Sequence, residues 1–500
     1  MEVFQSLLYG FSIALQPANI LFCFLGCLMG TLVGVLPGIG PVGAMSILLP
    51  ATFRMDPTGA IIMLAGIYYG AMYGGSTTSI LVNIPGEAAS VVTCMDGYQM
   101  ARQGRAGPAL GIAAFGSFIA GTLGLVGLMF FAAPLAELGL QFGPPEYSGV
   151  VLIGLTLIAY LSEGSAIKAL MMAAFGIILS CIGLDPIQGS PRMTFNLMNL
   201  WDGINLVPVA MGLFGISEIL INIEETKPTE ILKMKIRHLL PTVADWIQSK
   251  GAIIRGSVLG FFVGILPGGG AVISSLLSYG LEKRVSKTPE RFGKGAIEGV
   301  AGPESANNSA ISGSFIPLLT LGIPPNVVMA LLLGAFVIHG IRPGPLLLTD
   351  HPDLFWGLVS SMYIGNAMLL VLNLPLIPLW VQLLKVPYRI LFPLILLFCL
   401  IGAYSINSNG FDVLVMVIFG IVGYLFRKFE YEAAPLLLAF VLGPLLELNL
   451  RQSLILSSGS FLIFFSRPIS AVAVSISVIL LATSFTRYFK SSSAKISDAL

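Results

Sequence analysis

The 500-residue chain is 56% hydrophobic and only 10% charged, with a net charge of +1 and a mean hydropathy of +0.90. A soluble domain carries about 25% charged residues, so this composition excludes one. The balanced charge and the lack of a basic, aromatic patch give no reason to expect a nucleic-acid partner.

Apolar runs near 20 residues recur almost end to end, enough for roughly ten to fourteen spans of a bilayer. The expected fold is an all-α polytopic membrane protein. The N-terminus lacks a basic region and Leu7–Leu32 has no small-residue cleavage site, so the first span is expected to be retained. That span carries Gly26, Gly30 and Gly34 and ends in Gly34-Val-Leu-Pro-Gly-Ile-Gly-Pro41. Proline donates no backbone hydrogen bond and glycine reaches positive φ, so a helix should break at Pro37, Gly38 and Gly40. In lipid such a break survives only where it is buried in protein or lines a wet cavity. A tight turn between ordinary spans is the plainer alternative.

Helix resumes at Val42–Leu49, and a short loop with Arg54 and Asp56 follows. Gly59–Met72 leads into Tyr73-Gly-Gly-Ser-Thr-Thr-Ser79 and then a second break, Ile84-Pro-Gly-Glu87. Ser76, Thr77, Thr78, Ser79 and Asn83 lie at membrane depth, where hydroxyls, amides and freed backbone groups replace water around a carboxylate or a cation. Hydroxyls bonded back to their own helix are the bland alternative; four in a row beside two breaks favour a site. Glu87 reads as a carboxylate facing water at the start of a loop.

Further spans, Leu110–Leu135 and Val150–Ala174 among them, lead to the charged stretch Glu224–Arg255. Residues 1–222 are therefore read as one transmembrane repeat, 223–255 as a cytoplasmic linker, 256–487 as a second repeat, and 488–500 as a polar tail. The second half replays the first. Gly256, Gly260 and Gly264 precede Gly264-Ile-Leu-Pro-Gly-Gly-Gly-Ala271, placing Pro267, Gly268 and Gly270 opposite Pro37, Gly38 and Gly40 at an offset of 230. Gly302–Ser314 and Ile323-Pro-Pro325 replay the hydroxyl cluster and its break at an offset of 239, and Phe419-Gly-Ile421 replays Phe175-Gly-Ile177 at 244. Such slow drift is what loop insertions leave in a duplicated unit.

Loop charges are opposed in the two halves. Arg54 and Asp56 correspond to the strongly basic Lys283–Lys294, while Arg102 and Arg105 correspond to Arg342, Asp350 and Asp353. By the positive-inside rule the repeats are inverted, with broken or re-entrant helices at the midplane, as in secondary carriers. Glu304 is the candidate cation ligand or proton-coupling group, with a first-turn helix carboxylate as the alternative. Ser305, Asn307, Asn308, Ser309 and Thr320 complete the second cluster. Asp412 and Glu163 occupy matching bends. No arginine reads as deep in a span, so helix N-termini and hydroxyls are expected to hold an anion.

The five cysteines and three histidines form no CxxC or HExxH pattern, so neither a metal site nor another cofactor is expected. An intramembrane enzyme would need a nucleophile–base pair or a metal box, and neither is visible.

The stretches Gly34–Pro41, Tyr73–Glu87, Asp96–Arg105, Gly264–Gly270, Pro303–Ser309 and Gly322–Pro325 resemble the large membrane subunit of tripartite tricarboxylate transporters, a likeness running from about Met1 to about Arg487. The resemblance implies a multi-pass permease of the bacterial inner membrane with a small four-span membrane subunit and a periplasmic substrate-binding protein. It implies import of an organic carboxylate such as citrate, driven by a sodium or proton gradient. The absence of a Walker motif agrees with an ion-driven carrier. A stand-alone carboxylate symporter would share every site feature.

Overall fold

The computed structural model describes residues 2–36, 40–161, 165–224, 239–268, 270–384 and 388–497. Among these the chain is helical almost throughout, with one two-residue β pair, β1 (Gly183–Leu184) against β2 (Pro191–Arg192). Six helices are long and apolar enough to cross a membrane, and several shorter apolar ones accompany them. Pro37, Gly38 and Glu163 lie outside the described residues, as does 225–238 of the linker region.

Helix α1 (Glu2–Ala14) leads into α2 (Pro17–Val35), which ends at the first Leu-Pro-Gly break; α3 (Gly40–Leu48) follows, and then α4 (Pro57–Val82). Asp56 caps α4 by accepting from the amides of Thr58 and Gly59, and Asn83 closes it in the left-handed conformation, φ 60°. The glycine ladder sets how these helices pack. A Cβ on Gly26, Gly30 or Gly34 would fall far inside van der Waals contact with the carbonyl oxygens of Met63, Ile67 and Ala71 respectively. Only hydrogen fits there, so the backbones meet directly. Because the pairs 26–63, 30–67 and 34–71 rise together, α2 and α4 run parallel. Helix α3 must therefore double back between them, making α2–α3 a re-entrant hairpin.

Helices α5 (Val91–Arg102), α6 (Ala106–Gly139), α7 (Pro144–Leu161) and α8 (Ala166–Ser180) come next. A loop then leads to α9 (Leu206–Ala210), a π-helical turn (Met211–Ile216) and α10 (Ser217–Glu224). Helix α11 (Val243–Ile265) starts within the 223–255 stretch, closed by a capping box in which Thr242 and Asp245 satisfy each other's amides. It ends at the second Leu-Pro-Gly break, and α12 (Gly270–Val285) and α13 (Glu298–Leu321) follow. Here the ladder recurs: Gly256, Gly260 and Gly264 abut the carbonyls of Gly302, Ala306 and Ala310, so α11 and α13 are also parallel and α11–α12 is a second hairpin.

The two hairpins point in opposite directions. Helix α6 runs parallel to α13, with Gly116 beside Ser305 and Gly124 beside Ser312. After α14 (Val327–Ile338) and the single turn α15 (Leu347–Asp350), α16 (Pro352–Asn373) runs parallel to α4, with Gly357 beside Thr58 and Gly365 beside Tyr69. Helices α6 and α16 are antiparallel: Asn366 Nδ2 donates to the Phe118 carbonyl at 2.9 Å, and Tyr363 reaches back to Met129. Hence α2–α3 enters from one face and α11–α12 from the other.

The remaining helices are α17 (Ile377–Leu383), α18 (Tyr388–Asn407), α19 (Gly410–Lys428), α20 (Ala433–Leu456), α21 (Ile463–Ser466) and α22 (Pro468–Ser497). Their pairing crosses the halves. Gly176 of α8 abuts the Leu436 carbonyl of α20, and Gly212 before α10 abuts the Met416 carbonyl of α19. One face gathers basic residues. Gln103 donates to the Lys294 carbonyl at 2.7 Å, Arg105 pairs with Asp245 at 2.5 Å, and Arg255 pairs with Glu282 at 2.6 Å. Asp96, fully buried, draws that face together: its Oδ1 accepts from the amides of Gly293, Gly295 and Ala296 at 2.9, 2.7 and 2.8 Å, and its Oδ2 from Tyr279.

Candidate functional site

The breaks converge on one cavity of about 580 Å³. It is lined by the start of α3 (Gly40, Pro41, Val42), the turn after α4 (Pro85, Gly86, Glu87), the start of α12 (Gly268, Gly270, Ala271) and the start of α14 (Pro325, Asn326, Val327). Positive φ at Gly40 (61°), Gly268 (79°) and Gly270 (47°) lets the chain reverse there. The Gly268 amide donates to the Pro325 carbonyl at 2.7 Å, joining the second hairpin to the second break. The first turn of a helix presents unpaired N–H groups and about half a positive charge, so three helix starts make the cavity receptive to an anion. Arg427, in the last turn of α19, also lines it and pairs with Glu218 at 2.5 Å. The sequence reading did not single out Arg427; its side chain is 54% exposed at the end of α19, at the rim of the cavity and not deep in a span.

A larger cavity, about 930 Å³, lies at the opposite face between the 183–205 loop, α14 and α20. Its Arg192 is already paired with Glu447 at 2.6 Å and Asp185 at 3.5 Å; of the four breaks only the fourth reaches it, through Gly322, and the starts of α3, α12 and α14 do not line it. The smaller cavity is the better site on chemistry.

Behind the breaks the hydroxyl clusters meet. Glu304 is fully buried and accepts from Ser76 Oγ at 2.7 Å, from Thr93 Oγ1, and from Asn307 Nδ2 at 3.3 Å. Asn308 Nδ2 donates to Asn307 Oδ1 at 2.8 Å, to Ser117 Oγ at 2.8 Å and to the Glu304 carbonyl at 3.0 Å. The neighbouring Ser305 hydroxyl is buried and has no hydrogen-bond partner among the described residues. These groups form one buried polar cluster joining α4, α5, α6 and α13.

Other predicted residues sit in backbone roles. Thr78 donates to the Val35 carbonyl at 2.6 Å and Ser314 to the Gly264 carbonyl at 3.0 Å, each supplying a partner for a carbonyl near the end of a broken helix. Ser79 donates to Ser90 at 2.9 Å, Ser309 to the Ser257 carbonyl at 2.7 Å, and Thr320 back to Ile316 at 2.7 Å. Thr77 is buried, Asn83 is an exposed cap, and Pro267 is half-buried beside the cavity-lining Gly268. Asp412 pairs with Asn407 at 2.8 Å. Thr93, Ser117 and Asp96 were missed as functional candidates, because nothing in their local sequence shows which helix they face.

Glu87 departs from its expected place in water. It is 5% exposed, and its Oε2 accepts from the Ala89 amide at 2.6 Å at the head of the 3-10 turn Ala88–Ser90. Folding of the 83–87 turn back against Gly75 of α4 buries it.

The family description "Tripartite tricarboxylate transporter TctA family" matches residues 20–438. Two proteins of Agrobacterium vitis are similar to the chain. One, named as an uncharacterized 52.8 kDa protein in the TAR-I ttuC' 3' region, is 52% identical over 484 residues, covering 96% of this chain and 96% of that relative. The other, an uncharacterized protein in the TAR-II ttuC' 3' region, is 58% identical over 212 residues, covering 42% of this chain and 88% of that relative. No solved structure matches. With the family pattern spanning most of its length, this multi-pass membrane chain belongs to the tripartite tricarboxylate transporter TctA family.

Proposed function

We propose that this chain is the permease subunit of a binding-protein-dependent secondary transporter that imports organic carboxylates on a sodium or proton gradient. The observation that carries the reading is the convergence of three helix starts, two hairpin tips and Arg427 on one cavity. Carboxylate groups are held there by helix-start amides and by the guanidinium, which accepts planar oxyanions in a fork. The buried Glu304 cluster lies behind and takes part in cation coupling. Hairpins entering from opposite faces suit an inverted repeat and alternating access, in which the hairpins move against a scaffold of the outer helices. By the positive-inside rule the face of Arg105 and Lys294 is cytoplasmic, in a bacterial inner membrane. The family name supports a tripartite setting, and the reading takes the other two parts to be a small membrane subunit and a periplasmic binding protein that delivers substrate.

The test is citrate and succinate uptake into proteoliposomes holding this chain and its small membrane partner, with and without the cognate binding protein, under an imposed sodium or proton gradient. Uptake that requires both the binding protein and one gradient is expected. Asn308→Ala and Thr78→Ala should abolish it while inserting normally. Uptake with no binding protein would instead make the chain a stand-alone symporter, and the absence of any carboxylate uptake would overturn the reading.

A further inference from the structure

We propose that Glu87 is the group through which a co-transported cation, a proton or a sodium ion, is coupled to substrate in the cavity. The inference rests on the carboxylate reading above and adds the residue and the direction of coupling. Glu87 lines the cavity beside the starts of α3, α12 and α14. Its two oxygens are unequal. Oε2 caps the 3-10 turn, whereas Oε1 is buried and has no hydrogen-bond partner among the described residues. A cap needs one acceptor oxygen, and Ser, Asn or Asp serves as well. A second carboxylate oxygen left bare inside a membrane protein costs stability and needs a ligand to explain it.

No basic group among the described residues pairs with Glu87. Tyr68 on α4 faces the same cavity, its hydroxyl accepting from Asn326 at 3.3 Å. Helix α12 brings Ser275, which donates to the Ala89 carbonyl at 2.8 Å, and α5 brings Cys94, half-buried beyond Ser90. Across the cavity Arg427 is engaged with Glu218, and Glu432 stands near them. Glu304 on α13 lies on the far side of the same strip of α4: Ser76 bonds Glu304, and the adjacent Gly75 is packed against the Glu87 side chain. Glu87 is thus the carboxylate at the cavity surface, and Glu304 is the one behind it.

A carboxylate substrate drawn to the helix starts comes close to the Glu87 carboxylate, whose bare oxygen is buried beneath the cavity lining. Two like charges in a poorly solvated space disfavour each other, and one cation on Glu87 removes the conflict. Substrate and cation then each raise the other's affinity by the same factor, which is the linkage a symporter needs.

The test measures binding of labelled citrate and succinate to the purified complex, titrating sodium at fixed pH in one arm and lowering pH without sodium in the other. Wild-type affinity should rise about tenfold or more with one of the two cations, naming the source. Glu87→Gln keeps an oxygen to cap Ala89 but carries no charge, so its citrate affinity should be flat in both arms. Glu87→Asp keeps the charge and should keep the cation dependence. Wild-type cation dependence in E87Q overturns the proposal. If E87Q binds no citrate, E87D decides: dependence retained supports coupling, and dependence lost refutes it. Binding by wild type that ignores both cations refutes this proposal but leaves the carboxylate reading intact, whereas no binding of either carboxylate refutes both.

Discussion

Gly260→Ala adds a single methyl group where α11 and α13 touch backbone to backbone. The new Cβ would lie against the Ala306 carbonyl, with the carbonyl carbon and Cα of Ala306 both at 2.7 Å, whereas ordinary Cβ contacts begin near 3.4 Å. No flexible side chain can yield there, so the helices must separate by about 1 Å along that segment, and a gap of that size forfeits roughly a quarter to a half of each dispersion contact. Overpacking of this kind costs about 1–3 kcal/mol. The strain falls near the second hairpin tip, since Gly264 is held to Ser314 at 3.0 Å and Gly268 to Pro325 at 2.7 Å. Gly280→Ala is the control: it lies on the exposed face of α12 with open space around its Cβ, so the better helix propensity of alanine should leave it neutral or up to about 1 kcal/mol more stable. Thermal unfolding in detergent, followed by uptake in proteoliposomes, compares the two. G260A should melt earlier and transport poorly, and G280A should match wild type in both. Equal melting of G260A and wild type would refute the direct backbone packing that orients the hairpin.

Arg427→Ala removes the guanidinium at the cavity wall and leaves Glu218 without that partner; with the Arg427 side chain 54% exposed, solvent screening keeps the lost attraction to about 1 kcal/mol or less. The KM for citrate uptake should rise at least tenfold, with less effect on maximal rate. Asp96→Ala strips the acceptor from three amides and Tyr279; those of Gly295, Ala296 and Tyr279 are left buried at about 1–3 kcal/mol each, while Gly293 is exposed. Early proteolysis of the 286–297 loop should report it. At the opposite face, hydrogen bonding from Arg451 holds the Asp185 carboxyl well below its usual range. A lowered folded-state pKa stabilises above the ordinary value near 3.9 and fades as pH falls below it. Relative to the intrinsic rate, hydrogen exchange of residues 183–192 should therefore accelerate below about pH 4, and Arg451→Ala should speed exchange at neutral pH and flatten that acid dependence.

The Leu-Pro-Gly and Ile-Pro breaks were legible because proline and glycine act on the backbone wherever they stand. The glycine ladders were legible for the same reason: a four-residue spacing leaves one face of a helix bare. Their consequence was not. That Gly260 meets Ala306, and so makes α11 and α13 parallel, is a tertiary fact that no local period encodes. Glu304 stood out as a charge inside an apolar run, but its partners Thr93 and Ser117 come from helices that look like ordinary spans. Glu87 was placed in water because it sits at the edge of an apolar run, where only the fold of the next turn decides between solvent and cavity. Asp96 lay within a motif that carried the family resemblance, yet its use in binding three loop amides across nearly 200 residues has no sequence signature.

The central claim is that a carboxylate binds among the helix starts and not in the larger cavity at the opposite face. It is tested most directly by substrate protection of single cysteines, introduced after the five native ones are replaced. Val42→Cys reports on the start of α3 and Leu184→Cys on the other cavity. The account predicts that citrate slows maleimide labelling of V42C several-fold and leaves L184C unchanged. Protection of L184C with V42C unaffected would contradict it.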